Sequence, residues 1–237
     1  VFPSISISLM LSAVLVFDEQ PQAAFALWAA GAGLQFSLTL HAMSAWLFTQ
    51  RFALAQTDPI WFIPLVGNMV AAAAGIDHAP LELLWFFFSI GFAFWITMFM
   101  AVFQRMVLHP PFPEQLTPTF FVLIAPPAVA FLAYHGLAGQ VDALSRVLYY
   151  AALFLTLLLF ANLRRFLRLG FSLLAWCYTF PLAAIVLASL VMSTETDSAW
   201  LRAIAGVLLI IVTIVVLALA IRTAIAAMRG EICAPDD

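Results

Sequence analysis

The sequence predicts an all-α polytopic membrane protein, and three observations support that fold class. Hydrophobic residues make up 65% of the 237 residues and charged residues only 9%, whereas charged residues are about a quarter of a soluble domain. The mean hydropathy is +1.10. Apolar segments long enough to cross a hydrocarbon layer of about 30 Å recur along the whole chain, without the alternation of a membrane β-barrel. We therefore expect one transmembrane domain over residues 1–237.

Turn residues and charges divide this domain into eight predicted spans. They cover residues 2–17, 24–49, 60–76, 80–108, 117–135, 143–163, 168–192 and 199–226. Arginines follow the even-numbered spans, such as Arg105 and Arg164, while acidic residues such as Asp77 follow the odd-numbered spans. By the positive-inside rule the even-numbered spans end in the cytoplasm. We predict a multi-pass protein of the cell membrane, inner or plasma, with a cytoplasmic C-terminus.

Prolines recur at a regular interval in the odd-numbered spans. Pro3, Pro64, Pro126 (with Pro127) and Pro181 lie 61, 62 and 55 residues apart, and the even-numbered spans have no proline in their middle. A period of this size indicates a repeated unit, here a hairpin of one proline-containing helix and one uninterrupted helix. The alternative is that proline is simply commoner in membrane helices than in soluble ones.

Each of these prolines predicts a helix kink, because proline cannot donate a hydrogen bond to the carbonyl four residues back. The carbonyls expected to be free are those of Ile60, Val122 and Cys177. Free carbonyls are tolerated in a membrane where they are packed in protein or face a watery cavity. We therefore predict kinked inner (odd) helices around a central pore, surrounded by outer (even) helices.

Uncharged polar and small residues are the candidates for the pore lining. The candidates are Ser4, Ser8, Ser12, Asn68, Cys177 and Ala184. The three serines recur every four residues, which places them on one face of the first span. A packing role is the alternative, because serine hydroxyls in membrane helices often bond to their own backbone and small residues also serve helix contacts.

Charged side chains are absent from the middle of the predicted spans, although ion-coupled pumps normally carry them there. The sequence shows no nucleophile–base pair, phosphate-binding loop or metal-ligand cluster, so we expect no catalytic residue, no metal, no cofactor and no enzyme activity. A net charge of −3 argues against nucleic acid as a partner. A passive conduit or a carrier with an uncharged site remains.

Three stretches of the chain resemble the tellurite-resistance and dicarboxylate transporter family. These are "DPIWFIPLVGN" (58–68), "LIAPPAVAFLAYH" (123–135) and "AWCYTFPLAA" (175–184). The family includes bacterial TehA, the slow anion channels of plant guard cells, and the yeast malate and sulfite permeases. The first two stretches resemble the family's inner helices, and the third is similar to its gate helix.

The resemblance implies an architecture and a gate. Family members have ten helices in five hairpins, with the odd helices lining a pore, and they assemble as homotrimers of separate pores. The resemblance thus implies that this chain supplies eight of ten spans and that the first hairpin precedes Val1. It also implies that Phe180, held by Pro181, occludes the pore, since an aromatic ring closes a narrow pore sterically and by dewetting. The alternative is a phenylalanine that only packs, in a chain with 23 of them.

The function that the resemblance implies is a transmembrane anion channel with a neutral pore that passes small anions. The alternative is a proton-linked carrier or exporter for C4-dicarboxylates, sulfite or tellurium oxyanions. A dianion carrier normally needs a positively charged or donor-rich site, and no arginine lies in the middle of a predicted span. A membrane protein that transports nothing is the third hypothesis, but it leaves the proline repeat unexplained.

Overall fold

The computed structural model describes residues 2–49 and 57–230, and these residues form α-helices and 3₁₀ segments without β-strands. The helices are α1 (Phe2–Val16), α2 (Pro21–Phe48), α3 (Ile63–Ala74), α4 (Leu81–Leu108), α5 (Ala125–Ala138), α6 (Ala143–Ala161), α7 (Leu163–Leu167), α8 (Thr179–Glu195) and α9 (Ala199–Met228). The 3₁₀ segments Pro59–Phe62, Glu114–Ile124 and Leu173–Tyr178 lead directly into α3, α5 and α8.

Six helical segments in the described part of the chain are long and apolar enough to cross a membrane. They are Pro21–Phe48, Leu81–Leu108, Glu114–Ala138, Ala143–Ala161, Leu173–Glu195 and Ala199–Met228. Two shorter apolar segments, Pro3–Val16 and Pro59–Ala74, complete the series. These segments coincide with the eight predicted spans within a few residues, and the prediction of a polytopic helical membrane protein is confirmed.

The first two hairpins are built on the same contact. In each, a glycine of the longer helix lets the backbone of the shorter, proline-bearing helix approach closely. A Cβ added at Gly31 of α2 would lie 3.0 Å from the carbonyl oxygen of Ser6 in α1. A Cβ added at Gly91 of α4 would lie 2.8 Å from the carbonyl oxygen of Leu65 in α3. The matching contacts agree with a repeated hairpin unit.

The proline-bearing helices pack on one another in series, and the longer helices lie outside them. α1 packs on α3, α3 on α5, and α5 on α8. In the most apolar stretch of each segment, 78% of the residues of Glu114–Ala138 are buried, whereas only 22% of those of Ala199–Met228 are. Large apolar side chains such as Ile210, Ile214 and Leu217 are exposed on α9, as expected of a helix that faces lipid. We call the series α1, α3, α5 and α8 the inner row.

Candidate pore and gate

The prolines of α3, α5 and α8 stand where a 3₁₀ segment becomes an α-helix. Pro64 is the second residue of α3, Pro126 and Pro127 are the second and third residues of α5, and Pro181 is the third residue of α8. Proline is well tolerated in the first turn of an α-helix, because N–H groups there have no partner within the helix. The chain therefore changes from one helix type to the other at each proline.

Two of the carbonyls that we expected to be free have a backbone partner, so that prediction is wrong for them. The N–H of Ile63 donates to the carbonyl of Ile60, and the N–H of Ala125 donates to the carbonyl of Val122. Both bonds join residues three apart, which is the 3₁₀ pattern. Proline removes the donor four residues ahead, and the tighter 3₁₀ turn supplies one from three residues ahead.

Side chains of α2 and α3 surround the carbonyl of Pro64 at the start of α3. Gln35 Nε2 and Asn68 Nδ2 each donate to this oxygen over 2.8 Å. Thr39 Oγ1 lies 2.9 Å from the same oxygen and 2.8 Å from the carbonyl oxygen of Gln35, so its single proton serves one of the two. All three side chains are buried. We call Gln35, Thr39 and Asn68 the polar clamp.

Gly67 gives the polar clamp its room, because a Cβ at this position would overlap the amide group of Gln35. Asn68 Nδ2 also donates to Thr39 Oγ1 over 2.8 Å. This bond joins α3 to α2 at a second point, one helical turn after Pro64. Hydrogen bonds between membrane helices contribute about 0.6 kcal/mol each on average and up to about 1.7. The polar clamp therefore fastens the 3₁₀-to-α junction of α3 to α2, the outer helix of the preceding hairpin.

The junction of α8 has aromatic surroundings instead. Phe180 is half-buried and Pro181 is buried. Tyr178, the last residue of the 3₁₀ segment, packs edge-on against Phe121 of the segment before α5, with 4.7 Å between ring centroids. Thr179 Oγ1 donates to the carbonyl of Trp176 over 2.9 Å, a bond within the same stretch of chain. Aromatic packing thus joins the α8 junction to its inner-row neighbour.

The predicted serine face of α1 is exposed in the structure. Ser8 and Ser12 donate to the carbonyls of Ser4 and Ser8 over 2.9 and 2.8 Å, so their hydroxyls are satisfied by the helix's own backbone. Ser6 is the buried serine, and its hydroxyl lies 2.7 Å from the carbonyl oxygen of Pro3 and also bonds to Gln35 Oε1. The structure therefore separates the exposed serine face from the side of α1 that packs on α2.

The other candidate lining residues differ in burial. Asn68 and Ala184 are buried, whereas Cys177 is half-buried and lies three residues before Phe180. The amide nitrogen of Asn68 is directed at α2 through the polar clamp. Gln35 and Thr39 are not among the residues predicted from the sequence, although two polar residues four apart on an apolar helix indicate a buried polar face.

The charged side chains of the described residues lie near the ends of the helices, and the end at which α1, α3, α5 and α8 finish is acidic. Asp142 caps α6 by accepting from the backbone N–H of Ser145 over 2.9 Å and from the hydroxyl of Tyr134 over 2.7 Å. These bonds, the Ser145 backbone bond first, lower the pKa of Asp142 below its ordinary value. Nearby, Nε2 of His135 at the end of α5 lies 3.4 Å from Oε1 of Glu195 at the end of α8. We call this the acidic end.

The opposite end, where α2, α4, α6 and α9 finish, carries arginines. Arg105 is buried at the end of α4, where its guanidinium lies 4.3 Å from the ring centroid of Phe112 and donates to the carbonyl of Pro110 over 2.7 Å. Within the described ranges, no three His, Cys, Asp or Glu side chains converge in a way that could hold a metal ion. We call this the arginine end.

Comparison with known proteins gives consistent similarities. The sequence model of the family described as "Voltage-dependent anion channel" matches residues 1–224. The chain is 32% identical to the S-type anion channel SLAH3 of Arabidopsis thaliana over 188 residues, which cover 79% of this chain and 30% of that protein. It is 30% identical to the guard cell S-type anion channel SLAC1 of Arabidopsis thaliana over 213 residues, which cover 90% of this chain and 38% of that protein.

A more distant similarity extends beyond plants. An uncharacterized transporter of Methanocaldococcus jannaschii is 23% identical, with 68% of this chain and 53% of that protein covered. The matched part of this chain spans about a third of the length of SLAH3 and SLAC1. All the proline-bearing helices lie within the residues that the family model matches.

Proposed function

The chain belongs to the voltage-dependent anion channel family, and from that membership we propose that it is the pore-bearing part of a channel for small anions. The observation that carries the proposal is the family match over residues 1–224, which includes the whole inner row. The neutral interior supports it. Apart from Arg105 at the end of α4, the buried polar side chains of the described residues are uncharged: serines, threonines, Gln35 and Asn68.

We propose that Phe180 is the gate of this channel. Its support is position: Phe180 is half-buried at the first turn of α8, the last helix of the inner row, and Pro181 follows it directly. A neutral, aromatic closure is compatible with anion flow once the ring moves, because no buried charge has to be neutralised. Selectivity in such a pore comes from polar donors and helix ends rather than from fixed cationic side chains.

The proposed arrangement in the membrane has the arginine end in the cytoplasm and the C-terminus there too. It follows the positive-inside rule, with Arg105, Arg165 and Arg222 near the ends of α4, α6 and α9. A homotrimer of separate pores is the arrangement that the family resemblance implies, and it belongs to the proposal.

The experiment that tests the gate measures anion current through the full-length protein in a planar bilayer. We expect Phe180→Ala to raise anion conductance by about tenfold or more, the change for a barrier lowered by about 1.4 kcal/mol. Phe154→Ala, on the lipid-facing side of α6 with 64% of its surface exposed, is the matched control and should leave the current unchanged.

Two outcomes would contradict the proposal. An unchanged current in a folded Phe180→Ala protein would show that this ring does not close the conduit. Saturable, proton-dependent malate uptake without current would identify a carrier instead of a channel.

A further inference from the structure

Two adjoining cavities lie at the arginine end, on the outer side of the bundle. The first, of about 640 Å³, is bounded by the end of α4, the 3₁₀ segment before α5, and the end of α6 with α7. Its ionisable and amide lining residues are Arg105, Glu114, Asn162, Arg165 and Arg168. We call it the basic cavity.

The charges that line the basic cavity are unbalanced. Arg165 and Arg168 are exposed, and in the described part of the chain neither side chain forms a salt bridge or a hydrogen bond. Arg105 stacks on Phe112 and thereby forms part of the wall. Glu114 is the single carboxylate of the lining. The cavity therefore presents net positive charge with guanidinium groups available to a ligand.

The second cavity, of about 310 Å³, is apolar. Its walls come from α6 and α7, from the 3₁₀ segments before α5 and α8, and from α8 and α9, with Leu163, Leu182 and Ile211 among the lining residues. Phe166 of α7 lines both cavities, so the two volumes adjoin at this residue. We call it the apolar cavity.

We propose that the two cavities together bind one anionic phospholipid of the cytoplasmic leaflet, with its phosphate at Arg165 and Arg168 and an acyl chain in the apolar cavity. Guanidinium groups bind phosphate oxygens with paired, charge-assisted hydrogen bonds. A basic pocket joined to an apolar one matches an amphiphile, and a soluble anion would leave the apolar cavity unfilled. The site uses one wall of α8 but does not depend on anion conduction, so it stands or falls separately from the proposed channel activity; only its assignment to the cytoplasmic leaflet rests on the proposed orientation.

The bound lipid would contact the 3₁₀ segments that lead into α5 and α8. Phe120, in the 3₁₀ segment before α5, lines the basic cavity, and Tyr178, two residues before Phe180, lines the apolar cavity. A lipid in this place therefore contacts the chain immediately before α5 and before the turn that carries Phe180.

The test uses the full-length protein in nanodiscs of equal phosphatidylglycerol and phosphatidylcholine, with native mass spectrometry of the lipids that remain bound. We expect Arg165→Gln and Arg168→Gln to lower the ratio of retained phosphatidylglycerol to phosphatidylcholine by about fivefold each, the worth of one arginine near an anionic headgroup. Arg164→Gln is the matched control, because Arg164 is on the same short helix but lines neither cavity.

A second variant gives a gain that misfolding cannot produce. Glu114→Gln removes the one carboxylate of the basic cavity, and we expect it to raise the same ratio.

Ile211→Trp, which places an indole in the apolar cavity, should lower retention of phosphatidylglycerol with both arginines intact.

The proposal is overturned if the two arginine variants retain phosphatidylglycerol as the wild type does, or if Arg164→Gln loses as much as they do. It is also overturned if millimolar inorganic phosphate abolishes the excess of retained phosphatidylglycerol over phosphatidylcholine while Ile211→Trp leaves that excess unchanged. The site would then bind a soluble anion. Retention unchanged or lowered in Glu114→Gln would contradict the assigned headgroup position.

Discussion

The junctions before α3 and α8 share one local design and differ in what holds them. Each is a 3₁₀ segment that becomes an α-helix at a proline. At α3 the carbonyl of Pro64 accepts amide donors from Gln35 and Asn68, and the neighbouring Phe62 is fully buried. At α8 the packing is aromatic and Phe180 is only half-buried. The same 3₁₀-to-α junction is thus held mainly by hydrogen bonds to a carbonyl at α3 and mainly by aromatic packing at α8.

The physical basis of this difference is the directionality of the contacts. Hydrogen bonds to a carbonyl require a narrow range of distance and angle, so the polar clamp permits one arrangement of α2 against α3. Aromatic rings are favourable over several offset and edge-on geometries. The contact between Tyr178 and Phe121 therefore admits more than one position, whereas the hydrogen bond from Trp176 Nε1 to Thr223 Oγ1 over 3.0 Å ties the 3₁₀ segment before α8 to α9.

The largest expected difference between the junctions is the stability lost on truncating their phenylalanines. Phe62→Ala should lower the free energy of unfolding by about 3–5 kcal/mol, because it opens a cavity at a fully buried site. Phe180→Ala should lower it by about 1–2 kcal/mol, because less of this side chain is buried. Chemical unfolding of the full-length protein in detergent measures both, and equal losses would remove the distinction.

Gly67→Ala probes the space that the polar clamp needs. The added Cβ would displace the buried amide of Gln35, and we expect a loss of about 1–3 kcal/mol from overpacking. Gly33→Ala is the control, since a Cβ there meets no atom within 4 Å. If both variants unfolded at the same denaturant concentration, the close approach of α2 and α3 at Gly67 would not constrain the fold.

Gln35→Leu removes one donor of the polar clamp while keeping the side chain's bulk. We expect it to lower the free energy of unfolding by about 1–2 kcal/mol, because the Pro64 carbonyl loses an amide partner in a buried place. Ser37→Ala, on the exposed side of α2 with its hydroxyl bonded to the carbonyl of Gly33, should have little effect. Equal losses in these two variants would show that the polar clamp adds nothing to an ordinary helix contact.

The smallest effects concern the starts of the two 3₁₀ segments. Asp58 accepts from the backbone N–H of Ile60 over 2.8 Å, whereas the Ser172 side chain makes no capping hydrogen bond. Asp58→Ala should cost about 0.5–1 kcal/mol, and Ser172→Ala should be close to neutral. Differential unfolding at neutral pH compares them, and a larger loss for Ser172→Ala would contradict the assignment.

Asp58 also predicts a pH dependence. Burial raises the pKa of Asp58 above its ordinary value of 3.8, outweighing the opposing backbone hydrogen bonds from Ile60 and Trp61. The folded protein therefore binds this proton more tightly than the unfolded chain does, so stability falls as pH rises from 3.8 through the raised pKa. Subtracting the profile of Asp58→Asn, which keeps a capping oxygen, isolates this contribution. A difference profile of opposite slope would contradict it.

The parts of the structure that the sequence could predict are those that leave a periodic or compositional mark. Apolar length predicts the spans, and the interval between Pro64, Pro126 and Pro181 predicts the hairpin unit that the Gly31 and Gly91 contacts display. Proline shows where a hydrogen bond is lost, but it does not say that a 3₁₀ turn will replace it. The orientation of the α1 serines depends on how the helix rotates against α2, which is a tertiary effect.

The candidate pore and gate could be predicted only in part, because their tertiary contacts leave little mark in the sequence. Only family resemblance identifies Phe180 among the phenylalanines of the chain, and its role stays a prediction that the conductance measurement tests. The polar clamp has a sequence signal in Gln35 and Thr39, but its target, the Pro64 carbonyl, becomes apparent only when α2 and α3 lie side by side. The basic cavity is lined by three segments that are far apart in the chain, so no single stretch of sequence predicts it.

The 3₁₀-to-α junction also has a mechanical consequence. A 3₁₀ helix rises about 2.0 Å and turns about 120° per residue, whereas an α-helix rises about 1.5 Å and turns about 100°. Each residue that passes from one form to the other at the junction therefore shifts the helix beyond it by about 0.5 Å along its axis and rotates it by about 20°. Such a screw motion would swing a side chain on the first turn of α8 sideways while the rest of the helix kept its length and its internal hydrogen bonds.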